Sequence, residues 1–295
     1  MQRNGKLATF MGSVLGLLSA LLALSLLGHA SDWQREGDLT EELHKTYSIS
    51  PNGRIDLENL NGAVVIKTWD RNEVQIDAIK RASTKERLDE AQIQIDWHAD
   101  SLSIRTRYPD RDHTNWTSKG HNNPASVEYN LTVPRGARLD KIDLINGDLT
   151  IEGVASEVRA SCINGHLLAE NLGGAAQLST VNGPLDARFT RLGNEGIELS
   201  SVNGSLRVTI PSDSQAQVSA STMSGSISDD FGLHVAKHSF IGQNLRGQLG
   251  SGAAPIKLAN VNGSIEIRHA NDNRDLSPSK DLSGGRDDDN DDDQI

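Results

Sequence analysis

A seven-residue phrase built on Asn-Gly recurs through the second half of this 295-residue chain and limits what it can fold into. It reads INGDLTI from Ile145, INGHLLA from Ile163, VNGPLDA from Val181 and VNGSLRV from Val202. It returns as MSGSISD from Met223 and VNGSIEI from Val261. Asn146, Asn164, Asn182, Asn203 and the substitute Ser224 are spaced by 18, 18, 21 and 21 residues, and Asn262 follows 38 later. Repetition at such a period marks stacked units, none able to bury its apolar face alone. A degenerate unit at Leu245–Leu249 is expected to fill the long gap.

Aligned on the Asn, the units form columns. Three residues on stand Leu149, Leu167, Leu185, Leu206, Ile227 and Ile265, and two further on Ile151, Ala169, Ala187, Val208, Asp229 and Ile267. Four residues before the Asn stand Ile142, Ala160, Leu178, Leu199, Ala220 and Leu258. Period-two alternation puts these on an inner face, and Thr150, Leu168, Asp186, Arg207, Ser228 and Glu266 on an outer one. The two residues just before the Asn (Leu144-Ile145 and its equivalents) both read as inward. A straight strand forbids that, so a bend or bulge is expected there, with Asn and Gly both tolerating φ > 0. Asn-Gly is also a strong hairpin signal. One set of inward columns per 18–21 residues favours coils over a meander of hairpins. The expected fold is all-β: a β-solenoid, parallel β-helix or β-roll in kind, with one short helix in its N-terminal part. At 4 % aromatic residues against 27 glycines, the core must be aliphatic and small.

Upstream, Leu57, Leu60, Val64 and Ile66 repeat the spacing about Asn61-Gly62, an outlying copy of the unit. Val74–Ile79 alternates as a strand. Ser83 with Glu86 is a candidate capping box for a helix over KERLDEA. IQIDW and SLSIRTRY suggest a hairpin turning at His98-Ala99-Asp100, and residues 109–125 form a long polar loop.

Arg3 and Lys6 precede an uncharged apolar run, Leu7–Leu27, ended by Gly28-His29-Ala30. Residues 1–30 are therefore expected to be a cleaved signal peptide or an N-terminal membrane anchor, with everything beyond exported. Residues 31–45 are expected to be a linker, 46–270 the repeat domain, and 271–295 a disordered acidic tail. That tail carries nine Asp against Arg274, Lys280 and Arg286, or −6 of the chain's net −11. The remainder has no basic footprint for nucleic acid.

VEYNLTVPRGARL followed by INGDLTIEGV resembles the DUF4097 family of bacterial adhesin-like β-strand-repeat proteins. LENLNGAVVIKTWDRNEV matches that family's opening unit and LRGQLGSGAAPIKLANVNGSIEIR its closing one. The resemblance covers about residues 46–270. It implies an exported envelope β-repeat protein without assigned chemistry, and transfers no site residues.

Chemistry has little foothold. Asp143, Asp148, Glu152, Glu170, Asp186, Glu198 and Glu266 are spread over several columns, as on a solvated face, and not set as the paired carboxylates of a glycan-cleaving enzyme. His234 and His238 are four apart without a third ligand, the Asp287–Asp293 run reads as solvated tail, and Cys162 shares a column with Thr, Ser and Asn. No catalytic or metal site and no cofactor is expected. The candidate binding surface is the outer column, Asp186, Arg207 and Glu266 with Thr150 and Ser228, together with Trp116 between His113 and His121. The expected role is a non-enzymatic binding or scaffold module of the cell envelope, whose partner is an envelope protein or glycan. It would touch membrane only through an uncleaved N-terminus. The alternatives are an extracytoplasmic domain sensing envelope stress and, behind it, a carbohydrate-active enzyme.

Overall fold

The computed structural model describes residues 38–109, 124–237 and 242–282. The N-terminal apolar run, Trp116 with its flanking histidines, His238 and the Asp287–Asp293 run lie outside the described residues. The described chain is all-β apart from one turn and a half of helix.

In chain order come β1 (Leu39–Ser48), β2 (Arg54–Asn61), β3 (Val64–Trp69), β4 (Glu73–Ala82), α1 (Lys85–Glu90), β5 (Gln92–His98), β6 (Ser101–Arg107) and β7 (Ser126–Pro134). The repeats follow as pairs broken at the Asn-Gly. They are β8 (Arg138–Asn146) with β9 (Leu149–Glu152), β10 (Val158–Asn164) with β11 (Leu167–Leu172), and β12 (Ala176–Asn182) with β13 (Leu185–Phe189). Next are β14 (Ile197–Asn203) with β15 (Leu206–Ile210) and β16 (Ala216–Ser224) with β17 (Ile227–Asp229). After β18 (Val235–Lys237) and β19 (Gln243–Leu249) stand β20 (Ala254–Asn262), β21 (Ile265–His269) and β22 (Ser279–Asp281).

The two members of each pair enter different sheets, so the Asn-Gly is not a hairpin. A ten-stranded sheet runs β1-β4-β7-β3-β9-β11-β13-β15-β21-β17. A second sheet runs β18-β19-β16-β20-β14-β12-β10-β8-β2-β6-β5, with β22 beside β19. The repeat strands pair in parallel with the phrase in register, Asn61 beside Asn146, then Asn164, Asn182, Asn203, Asn262 and Ser224. Between the sheets the expected inner columns meet. Leu149, Leu167, Leu185, Leu206 and Ile265 from one sheet face Ile142, Leu178, Leu199 and Leu258 from the other, all buried. Burying such a side chain stabilises by about 1.5–3 kcal/mol, so this aliphatic layer carries the fold.

The corner itself works differently from the expectation. The residue just before each Asn points outward: Ile145, Ile163, Val181, Val202 and Val261 are 37–39 % exposed. The residue before that is buried. Period two therefore holds up to the Asn without a bulge, because the turn is made by one residue, the Gly. Gly147, Gly183 and Gly204 have φ of 136°, 140° and 157°, whereas none of the phrase Asn residues has positive φ. Corner glycines donate their N–H to the Asn carbonyl of the neighbouring unit, as from Gly147 to Asn164 and from Gly165 to Asn182, at 2.9 and 3.0 Å, and Gly263 donates to the Ser224 carbonyl in the same way. The ladder thus continues through the corner. Several inward-turned Gly carbonyls find side chains: Thr222 caps Gly263, Asn260 caps Gly204 and the Cys162 thiol caps Gly147. This explains a polar column inside an aliphatic core, since an unpaired buried carbonyl costs about 1–3 kcal/mol.

Four further expectations are corrected. The linker assigned to 31–45 is from Leu39 onward the edge strand β1, ten residues paired antiparallel with β4. It reads as polar because only Leu43 and Tyr47 pack on the core. The tail assigned from residue 271 keeps structure to residue 282, with the Ser277 N–H bonded to Ser212 and β22 paired to β19. Its backbone donors find sheet partners although its side chains bury little. The segment Leu245–Leu249 is not a parallel unit; β19 runs antiparallel to β16. The helix is capped by Thr84, whose Oγ accepts from the Arg87 N–H at 3.3 Å, one residue past Ser83.

The units also do not stack in chain order, since β20 and β21 lie between β14/β15 and β16/β17. Strand β17 has three residues and carries Asp229 where its neighbours carry an aliphatic; that carboxylate accepts from the Phe231 and Leu233 N–H groups and ends the strand. It is a poor platform for Val208, which Ile267 covers instead.

Gly183→Ala tests the corner. The added Cβ would overlap the Gly165 carbonyl in a backbone region that disfavours any side chain. The expected loss is more than about 2 kcal/mol, read from urea unfolding midpoints, whereas Gly193→Ala, with open space around it, should cost well under that.

Candidate functional site

The outer column of the ten-stranded sheet brings together three of the four sequence-predicted residues. Parallel register places Asp186 beside Arg207 and Arg207 beside Glu266. The Arg207 guanidinium reaches both, Nη1 to Asp186 Oδ2 at 3.2 Å and Nε to Glu266 Oε2 at 2.9 Å. The next outward column extends the lattice: Arg188 bridges Glu170 at 2.8 Å and Asp186 at 3.5 Å, and Arg268 bridges Glu266 and Asp230, each at 3.2 Å. The hydrogen bond from Arg207 holds the Glu266 carboxyl below its usual range. Asp186 is only 8 % exposed. These three Arg and four carboxylates form one lattice of ion pairs along the face.

The opposite face is of another kind. On the outward side of the second sheet, Ile145, Ile163, Val181, Val202, Val261 and Met223 stand in register in that spatial order, Met223 60 % exposed. At about 4.8 Å per strand they make an apolar stripe roughly 24 Å long. One edge of the stripe is an amide ladder: Asn164 donates to Asn146, Asn182 to Asn164, Asn203 to Asn182 and Asn262 to Asn203, at 2.8–3.0 Å. The other edge is a floor of small residues, Ser161, Ser179, Ser200, Ala259 and Ser221, one pleat back. Monomer surfaces seldom leave contiguous apolar area of this regularity uncovered. Alternation with the buried −2 column was the sequence signal for this face; reading both positions as inward hid it.

Two sheets of parallel strands joined at an Asn-Gly corner, with the phrase in register across seven units, are the setting for comparison with known proteins. Residues 49–268 match the Toastrack DUF4097 family. The chain belongs to that family. The Toastrack region thus runs from the end of β1 to β21 and includes both outward faces. No curated protein matches the chain. Among solved structures it is similar to a "putative cell adhesion protein" of Clostridium sporogenes, at 12 % identity and a TM-score of 0.38, covering 78 % of this chain and all of that one. A "putative adhesin" of Bacteroides fragilis gives the same identity and score, with 78 % and 97 % coverage.

Several remaining candidates take structural roles, and others lie outside the described residues. Cys162 is buried, its thiol pushed up to about 11 by desolvation while it serves the Gly147 carbonyl. Asp148 accepts from the His166 N–H, and Asp143 from the Ser161 hydroxyl. Among the described residues no group of three or more His, Cys, Asp or Glu converges as a metal site would require. A shallow cleft of about 800 Å³ at the β1–β2 turn is lined by Trp97, Ile49 and Arg71. Trp97, 47 % exposed, packs against Tyr47 at 5.8 Å and gives its N–H to the Ser48 carbonyl.

Arg207→Gln should cost about 1 kcal/mol at neutral pH, because the pairs are partly solvated and screened. Glu266 has a depressed folded pKa, so its share of stability is present above pH 4.5 and is lost as pH falls through the folded value. The difference between wild type and variant should therefore shrink on acidification below pH 4.5 and also at high salt, in denaturant titrations at several pH values.

Proposed function

We propose that this Toastrack chain is an exported binding or scaffold module of the cell envelope, solenoid-like in build, that works by holding a partner and not by turnover. The observation that carries the reading is the apolar stripe Ile145–Ile163–Val181–Val202–Val261–Met223, bordered by the Asn ladder and the serine floor. A rigid two-sheet body holds these side chains at fixed spacing, so little ordering entropy is lost when a partner covers them. The N-terminal apolar run supports export, and the self-paired charges of the other face support the absence of acid–base chemistry. Asp186, Arg207 and Glu266, first choice from the sequence, serve in this reading to stiffen the non-binding face.

Val181→Lys combined with Val202→Lys should leave the unfolding midpoint nearly unchanged, since both side chains already face water. Retention of the protein on isolated envelopes should drop at least tenfold. Equal retention of the variant would overturn the assignment of this face, whereas turnover of any envelope glycan by the wild type would overturn the non-enzymatic reading.

A further inference from the structure

Among the described residues no strand pairs with the outer side of β1, which ends the ten-stranded sheet. Its register with β4 is unbroken over ten residues, from Leu39 opposite Ala82 to Ser48 opposite Glu73. Antiparallel pairing commits the backbone groups of alternate residues to the partner strand. The Ile49 N–H donates to Asn72, directly opposite in that register, so Ile49, Tyr47, Lys45, Leu43, Glu41 and Leu39 bond inward to β4. The N–H and C=O groups of Thr40, Glu42, His44, Thr46 and Ser48 then point away from the sheet. The Ser48 carbonyl shows this directly, since it accepts from the Trp97 indole outside the β1–β4 ladder. A long open edge of this kind is a template for another strand.

The edge is also self-complementary. Read outward from Leu43, the sequence meets Glu42 on one side and His44 on the other, then Glu41 and Lys45, Thr40 and Thr46, Leu39 and Tyr47. Set antiparallel against a second copy with Leu43 opposite Leu43, every acidic residue of the strand faces a basic one. Glu42 lies opposite His44 and Glu41 opposite Lys45, each twice by the two-fold axis, in addition to the pairs that Glu41 makes with Lys80 and His44 with Asp77 within one copy. Leu39 lies opposite Tyr47, both on the face that packs on the core. The backbone independently selects the same register family. The outward-bonding residues are the even-numbered ones, so the hydrogen-bonded pairs must join even to even, as Glu42–His44 and Thr40–Thr46 do. Sliding to the neighbouring allowed registers puts Glu42 opposite Glu42 or His44 opposite His44, like beside like.

We propose that two copies of this chain join through β1, antiparallel about Leu43, to make one continuous twenty-stranded sheet with an isologous interface. The partner is a second copy because the charge order of the strand complements itself and the free backbone groups fall on the residues that such pairing needs.

The test uses the full chain in a bacterial host. Leu43→Cys places two thiols on the two-fold axis in a non-hydrogen-bonded pair, the geometry in which a disulfide spans antiparallel strands. Mild oxidation should convert it to a species of twice the mass of the reduced chain on a non-reducing gel. His44→Cys should give none, because its position meets Glu42 of the other copy. Native Cys162 is buried and does not compete. Adding Thr46→Pro removes one outward N–H without touching the β4 ladder, and should abolish the Leu43→Cys crosslink while the circular dichroism spectrum and thermal midpoint stay near those of Leu43→Cys alone. A crosslink at His44→Cys, no crosslink at Leu43→Cys in folded protein, or a Leu43→Cys crosslink that survives Thr46→Pro would each overturn the proposal.

Discussion

The structure rests on how the backbone passes through the Asn-Gly corner without losing its hydrogen bonds. A chain that leaves one sheet for another ordinarily breaks its ladder and strands buried donors, each costing about 1–3 kcal/mol. Here the Gly N–H bonds the Asn carbonyl of the next unit, and the residue two past the Gly resumes the ladder in the other sheet, as Leu149 does to His166. The stacked glycines approach so closely that no side chain fits between them. Position, not chemistry, keeps the Gly in the phrase.

The Asn has a separate task. Its backbone is unremarkable in conformation, and its amide joins a run of donors and acceptors along the outside of the corner. Asn164, Asn182 and Asn203 each both give and take, so the ladder fixes register between units that the aliphatic core alone would let slide by a residue pair. Inside the same corner, Thr, Cys and Asn side chains serve the carbonyls that the turn directs into the core. One phrase thus carries three functions in adjacent positions: turn, external ladder and internal cap.

The two outward faces divide labour as a consequence. Charged residues far apart in the chain are brought onto adjacent strands of the ten-stranded sheet and pair there, Glu170 through Arg188, Asp186, Arg207 and Glu266 to Arg268. The second sheet keeps its outward apolar stripe unpaired. A surface that spends its charges internally stabilises; one that leaves regular apolar side chains in water is suited to bind.

The sequence by itself determined the all-β class, the family, the repeat unit and the inner columns four residues before and three and five after the Asn, because side-chain alternation and the Asn-Gly spacing are local facts. It also placed Asp186, Arg207 and Glu266 in one column, since register follows from the phrase. Only the tertiary structure decided which side of the corner the −1 residues occupy, that β20 inserts before β16, and that Leu39–Lys45 and residues 271–282 join sheets. Those outcomes depend on which backbone edges remain open once the aliphatic core has closed. A polar strand such as β1 leaves little hydrophobic trace of a partner that it binds mainly through its backbone and through polar pairs such as Glu41–Lys80 and His44–Asp77.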